Sequence, residues 1–192
     1  MAIEEAFGRL VGRFAAAEET FQALHLTVNE DRPQDGVVLM VERLGNLVED
    51  LRGWLAEGHA AAIDARQAVG HPLNGHDARQ ALGRANERFI RLETLFFNEA
   101  MSHRMIDGLE RFGRRRGGEW FGWSGSVVMG LQACREPLGG VGEALLHAWQ
   151  ELSERLGAGS LLVQNTNIGQ QVTSLPRGVA QTAFATGLEE AR

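Results

Sequence analysis

The stretch HDARQALGRANERFIRLETLFFNEAMSHRMIDGLERFGRRR, His76 to Arg116, decides the fold class. It holds no Pro, and its internal glycines are Gly83, Gly108 and Gly113. Asp77 is a good N-cap, with Gln80 three residues on, close to a capping box. Leu82, Ala85, Phe89, Leu92 and Phe96, and later Ile106 and Leu109, recur at steps that place them on one helical stripe. The spacing predicts one unbroken helix of roughly ten turns.

Two features of this helix bear on function. After Phe96 the stripe positions are Glu99 and His103, where core residues are expected, and Asp107 lies one turn further. Burying such groups is costly unless they are paired or ligated. They read either as a structural pair in a partly wet layer or as half of a ligand or metal site. The second feature is charge. Between positions 78 and 116 there are nine Arg against five acids, net +4, while the whole chain carries −6. The strip is therefore an anion footprint or the partner of acidic helices beside it, and the second reading fits an acidic chain.

A length of 192 residues suits one domain with a sizeable core. The net charge argues against general nucleic-acid binding. Every basic residue is Arg, and there is neither Lys nor Tyr. The single Cys134 excludes an internal disulfide framework and suits a reducing compartment. The N-terminal residues are acidic where a signal peptide is basic, and no stretch approaches the roughly 20 apolar residues of a membrane span. A cytoplasmic, soluble protein is expected.

Ahead of the long helix, Ile3, Phe7, Leu10, Phe14, Ala17, Phe21 and Leu24 form a near-heptad seam over a helix from about Ala2 to Leu26. The seam serves core packing or dimerisation. The turn Asn29–Gly36 leads to a second helix, from about Val37 to Val69, with Val41, Leu44, Leu51 and Leu55 on its buried side. Its end, HAAAIDARQA, is a small-residue surface that allows close packing. The loop Gly70–His76 holds Pro72 and Asn74-Gly75, and its His71 and His76, with His59, lack the spacing and acids of a zinc site.

After the long helix, GRRRGGEWFGWSG, Gly113 to Gly125, forms a hinge into a fourth helix near Glu119. Arg114, Arg115 and Arg116 stand next to Trp120 and Trp123. The two Trp cap the bundle core with Arg on their rims, or they form a patch that grips a partner or an anion. CREPLGG, Cys134 to Gly140, reads as a break, because of Pro137 and its glycines. Cys134 lies on the apolar face and reads as a buried small residue. A fifth helix follows to Gly157, with Val141, Leu145, Ala148, Leu152 and Leu156 in register. Glu143 and His147 repeat the Glu99–His103 spacing, but di-metal bundles use Glu-x-x-His, and this pair lies on the polar side of its helix. From about Ala158 the chain becomes a tail of low charge with a short candidate strand at Ser160–Gln164, which would need a partner to pair with.

No phosphate loop, dinucleotide fingerprint, nucleophile elbow, CxxC or HExxH is present. The run LQACREPLGGVGEALLHAWQELSERL, Leu131 to Leu156, resembles the amphipathic helices of phasins, helical coat proteins of polyester storage granules. That resemblance implies a peripheral apolar-surface role without catalysis.

The expected fold is all-α: a bundle of four to five mostly antiparallel helices over residues 1–157, with an irregular C-terminal tail over 158–192. The expected role is that of a non-enzymatic interaction or scaffold protein, binding a protein partner or itself as a homo-oligomer, with no nucleic acid and no cofactor. A ligand-binding bundle around Glu99, His103 and Asp107, and a phasin-like surface coat, are the alternatives.

Overall fold

The computed structural model describes residues 2–33, 39–70 and 75–157. The C-terminal tail with its candidate strand, His71, Pro72, Asn74 and the end of the Asn29–Gly36 turn lie outside the described residues. The described residues form an all-α bundle. Its helices are α1 (Ala2–His25), α2 (Leu39–Val69), α3 (Gly75–Leu95), α4 (His103–Arg116), α5 (Gly118–Ala133) and α6 (Arg135–Leu156).

α1, α2, α3 and α6 pack around one core, each beside two of the others. Cross-helix contacts show that successive neighbours run antiparallel. Glu18 meets His59 and His25 meets Glu49 between α1 and α2. Asp64 meets Arg84 and Glu57 meets Arg88 between α2 and α3. Arg13 lies against Gly140 between α1 and α6. The hairpin α4–α5 is inserted between the third and fourth bundle helices and packs at the end where α1 and α3 finish.

The α1 seam supplies the centre of the core. Phe7, Leu10, Phe14, Ala17, Phe21, Leu24 and Val28 are each at most 1% exposed. This regular seam is therefore consumed within the chain, and the dimerisation reading of it is corrected. Close approach of α1 and α2 depends on Gly58, where a Cβ would come within 2.8 Å of the Phe14 ring. Ala61, Ala62 and Ala65 of α2, with Ala78, Ala81 and Ala85 of α3, make the small-residue contact expected there.

The stretch from His76 to Arg116 is not one helix. α3 widens at Phe96–Ala100, where the Met101 N–H bonds to the Phe96 carbonyl at 2.8 Å, and then stops. Ser102 takes an extended conformation, and its hydroxyl accepts from the Met105 N–H at 3.2 Å to cap α4. A wide turn inserts a residue into the helical period, and a cap restarts it. The stripe extrapolated past Phe96 therefore lost its phase. Glu99, His103 and Asp107 are all exposed, and the buried acid of this segment is Glu93, 1% exposed.

The break expected over Cys134–Gly140 narrows to the single residue Cys134. α6 begins at Arg135, which puts Pro137 in the first turn, where its missing N–H has no helical partner to lose. No helix among the described residues is long and apolar enough to cross a membrane.

Candidate functional site: the α4–α5 hairpin

The basic strip divides in two. Its first half is spent on α2: Arg84 pairs with Asp64 at 3.2 Å, Arg88 with Glu57 at 2.8 Å, and Arg88 and Arg91 stack over Trp54 at 5.1 and 5.2 Å. This half is the partner of an acidic helix, as one of the two readings held. Its second half lies on α4, where Arg104, Arg111, Arg114, Arg115 and Arg116 are exposed. Arg114 pairs with Glu110 within the helix, and Arg111 Nε donates to the Asp107 carbonyl. Arg111, Arg115 and Arg116 surround a shallow groove of 560 Å³ with Gly108 and Phe112. Cations in the last turn of α4 also suit the helix dipole.

The two Trp are buried, 6% exposed at Trp120 and 5% at Trp123. Phe112 and Trp120 meet edge-to-face at 5.1 Å, and Trp120 and Trp123 at 5.4 Å. Arg116 lies over Phe112 and Trp120 at 6.0 and 5.8 Å. Trp123 donates its indole N–H to the Thr27 carbonyl at 2.8 Å, taking up one of the orphan carbonyls at the end of the first helix. Trp123 thus ties the hairpin to the bundle, and Trp120 packs beside it with Arg116 on the rim.

α4 and α5 meet closely because Gly113 has no side chain. A Cβ there would fall on the hydroxyl of Ser124 and within 3.2 Å of the Trp120 carbonyl. The reversal between the helices uses Gly117 and Gly118, at φ 66° and 52°, in the left-handed region that glycine tolerates.

The outer face of α5 was not singled out by the motif reading. The helix carries one charge, Glu119, in sixteen residues. Phe121 is 60% exposed and Met129 71% exposed. They stand four residues either side of Gly125, so they share a line along the helix. Gly122 and Gly125 beside them have open space where a Cβ would be. The signal legible in the sequence was a helix almost free of charge on both sides, which a solvated surface helix is not.

Glu99, His103 and Asp107 do not join this hairpin face. No ion pair or hydrogen bond links the side chains of Glu99 and His103 among the described residues. No group of three or more His, Cys, Asp or Glu side chains is placed to share a metal ion among the described residues. The apolar residues of the phasin-like run, Leu131, Leu138, Val141, Leu145, Ala148 and Leu152, are buried in the bundle.

The chain matches no protein-family model, no curated protein and no solved structure at a significant level.

Proposed function

We propose that this protein is a non-enzymatic helical interaction protein, and that it self-associates through the outer face of α5. The observation that carries this reading is the placement of Phe121 and Met129 symmetrically about Gly125 on an almost uncharged, exposed helix. An antiparallel two-fold pair of α5 helices crossing at Gly125 sets Phe121 of one copy against Met129 of the other, twice over, as an isologous contact requires. Among the described residues, the cores of the four bundle helices are spent on one another, and Phe121 and Met129 stand outward together on the hairpin.

The experiment is the solution mass of the full chain and of the double substitution Phe121→Glu, Met129→Glu. Both side chains are exposed, so the bundle keeps its helicity. The expected result is a dimer that becomes a monomer. A monomeric parent chain at about 100 µM, a concentration at which even weak specific pairs form, overturns the reading. So does a dimer that survives the substitution.

A second reading is a peripheral coat on an apolar or anionic surface, supported by the exposed Phe121 and Met129 on the same hairpin as Arg115 and Arg116. Its mark is a monomer that sediments with anionic lipid vesicles and releases them on the same double substitution. Indifference to vesicles dismisses it.

A further inference from the structure

The exposed arginines of α4 are ordered along the helix. At about 100° per residue, Arg104, Arg111 and Arg115 fall within roughly 60° of one another, on a line that also holds Gly108. From Arg104 to Arg115 the line runs about three turns, or about 16 Å. The other arginines of this part of the chain are engaged: Arg84, Arg88, Arg91 and Arg114 on carboxylates, and Arg116 over the Phe112 and Trp120 rings. Arg104 and Arg115 make no ion pair among the described residues. Arg111 donates to a backbone carbonyl, that of Asp107, and to no carboxylate among the described residues.

This row borders the shallow groove of α4. Arg111 and Arg115 line the groove together with Gly108 and the half-buried Phe112, and no acid lines it. The start of α2 closes in at Gly108, where a Cβ would stand 3.7 Å from the Met40 sulfur. Leu39, beside Met40, is 63% exposed. The basic row thus runs along an apolar edge made by Phe112 on α4 and Leu39 on α2.

We propose that this row docks an acidic amphipathic helix of a partner protein. A single small anion meets one or two guanidinium groups. A row of this length is matched by carboxylates that repeat at the same pitch, and a helix supplies them. Guanidinium groups pair with carboxylates through two parallel bonds. Leu39 and Phe112 take the partner's apolar edge, and the missing side chain at Gly108 leaves room for it. A lipid surface fits less well, because a surface helix sinks a free apolar face into lipid. On α4 that face is used: Leu109 is buried and Gly113 closes against Ser124 of α5. A duplex nucleic acid also fits less well. α4 holds five Arg against two acids, net +3, so the rest of a chain of net −6 carries −9 and repels a long polyanion. The row is separate from the outer face of α5 and does not rest on its pairing.

The probes are two synthetic peptides of about 20 residues, long enough to hold a helix. Each has Leu along one edge, with Glu at i, i+7 and i+11 for parallel docking or at i, i+4 and i+11 for antiparallel docking. A third peptide has the same composition in shuffled order. Fluorescence anisotropy is read with the full-length protein and with its Phe121→Glu, Met129→Glu form, which removes the exposed apolar pair of α5. One ordered peptide should bind both proteins alike, about tenfold or more tighter than the shuffled one, and more weakly as salt rises. Arg104→Glu, Arg111→Glu and Arg115→Glu together should weaken binding by about tenfold or more with unchanged helicity. A peptide with Lys in place of Glu should bind that variant instead. Gly108→Gln should fill the groove and weaken binding with all three arginines in place. No saturable binding up to about 1 mM peptide, a weak affinity by any standard, overturns the surface. Equal binding of the shuffled peptide does the same. So does equal binding of anionic vesicles or duplex DNA through the same three arginines, which would make the row a general anion footprint. A peptide that binds only the parent chain belongs to α5 and overturns this assignment as well. A parent chain that stays monomeric changes none of these outcomes.

Discussion

The indole N–H of Trp123 donates to the carbonyl of Thr27 at 2.8 Å, across 96 positions of sequence. The bond joins the α4–α5 hairpin to the end of the first bundle helix, beside the contact of Leu24 with Gly130. It places on one side chain both the burial of a large ring and the satisfaction of a helix-end carbonyl.

Trp123→Phe keeps an aromatic ring and removes the donor. The expected loss is about 1–3 kcal/mol, the cost of leaving a buried acceptor without its bond. Hydrogen exchange should speed up in α4 and α5, with the amides of α1 and α2 little changed, since the bond holds the hairpin and not the bundle. Equal protection of the hairpin in both proteins would show that Trp123 acts by packing alone.

Gly113→Ala tests the close approach of α4 and α5. The new methyl would fall on the Ser124 hydroxyl, so the helices must part. A loss of roughly 1–3 kcal/mol is expected from overpacking, against a gain of up to about 1 kcal/mol in helix propensity. Gly83→Ala is the matched control, because open space surrounds a Cβ there and stability should rise by about 0.5–1 kcal/mol. Thermal melts of the two variants that move in the same direction would refute the account of Gly113.

Cys134 is fully buried at the α5–α6 junction, and burial pushes its thiol from 9.0 up to about 12. The native thiol should resist a disulfide reagent at pH 8 and react only on unfolding. Because the folded pKa is raised, no stability is lost below pH 9. Between pH 9 and 12 the unfolded chain sheds this proton and the folded chain does not, so stability falls by up to about 1.4 kcal/mol per pH unit. The chain has no Lys and no Tyr, so no other side chain titrates in that window. Cys134→Ala should flatten the alkaline slope, and a slope that persists in that variant would exclude the thiol as its cause.

Much of the fold was legible because helical periodicity is local. The α1 seam from Phe7 to Leu24 and the α2 positions from Val41 to Leu55 are read directly from spacing, and all are buried. The His76–Arg116 stretch failed at one point, the wide turn at Phe96–Ala100 and the cap at Ser102. Periodicity extrapolates a phase, and one inserted residue rotates everything after it. That is why Glu99 and His103 were placed in the core while both are exposed. The Arg114–Arg116 and Trp120–Trp123 cluster was visible as composition, but Phe112 joined it only through the fold. Met129 was missed because nothing in a single methionine says which way its helix faces.

The sequence by itself determined that this chain is an all-α bundle, where its main helices run, and that its first seam is apolar. Those follow from the 3.6-residue period and from cap, Gly and Pro chemistry, which act over a few residues. Tertiary structure alone decided that the seam is spent inside the chain, that Arg84 and Arg88 pair with acids of α2, and that Phe121 and Met129 face outward. It alone brought Leu24 to Gly130 and Met40 to Gly108. These are relations between residues tens to more than a hundred positions apart, and which faces meet depends on how four helices close around a shared core.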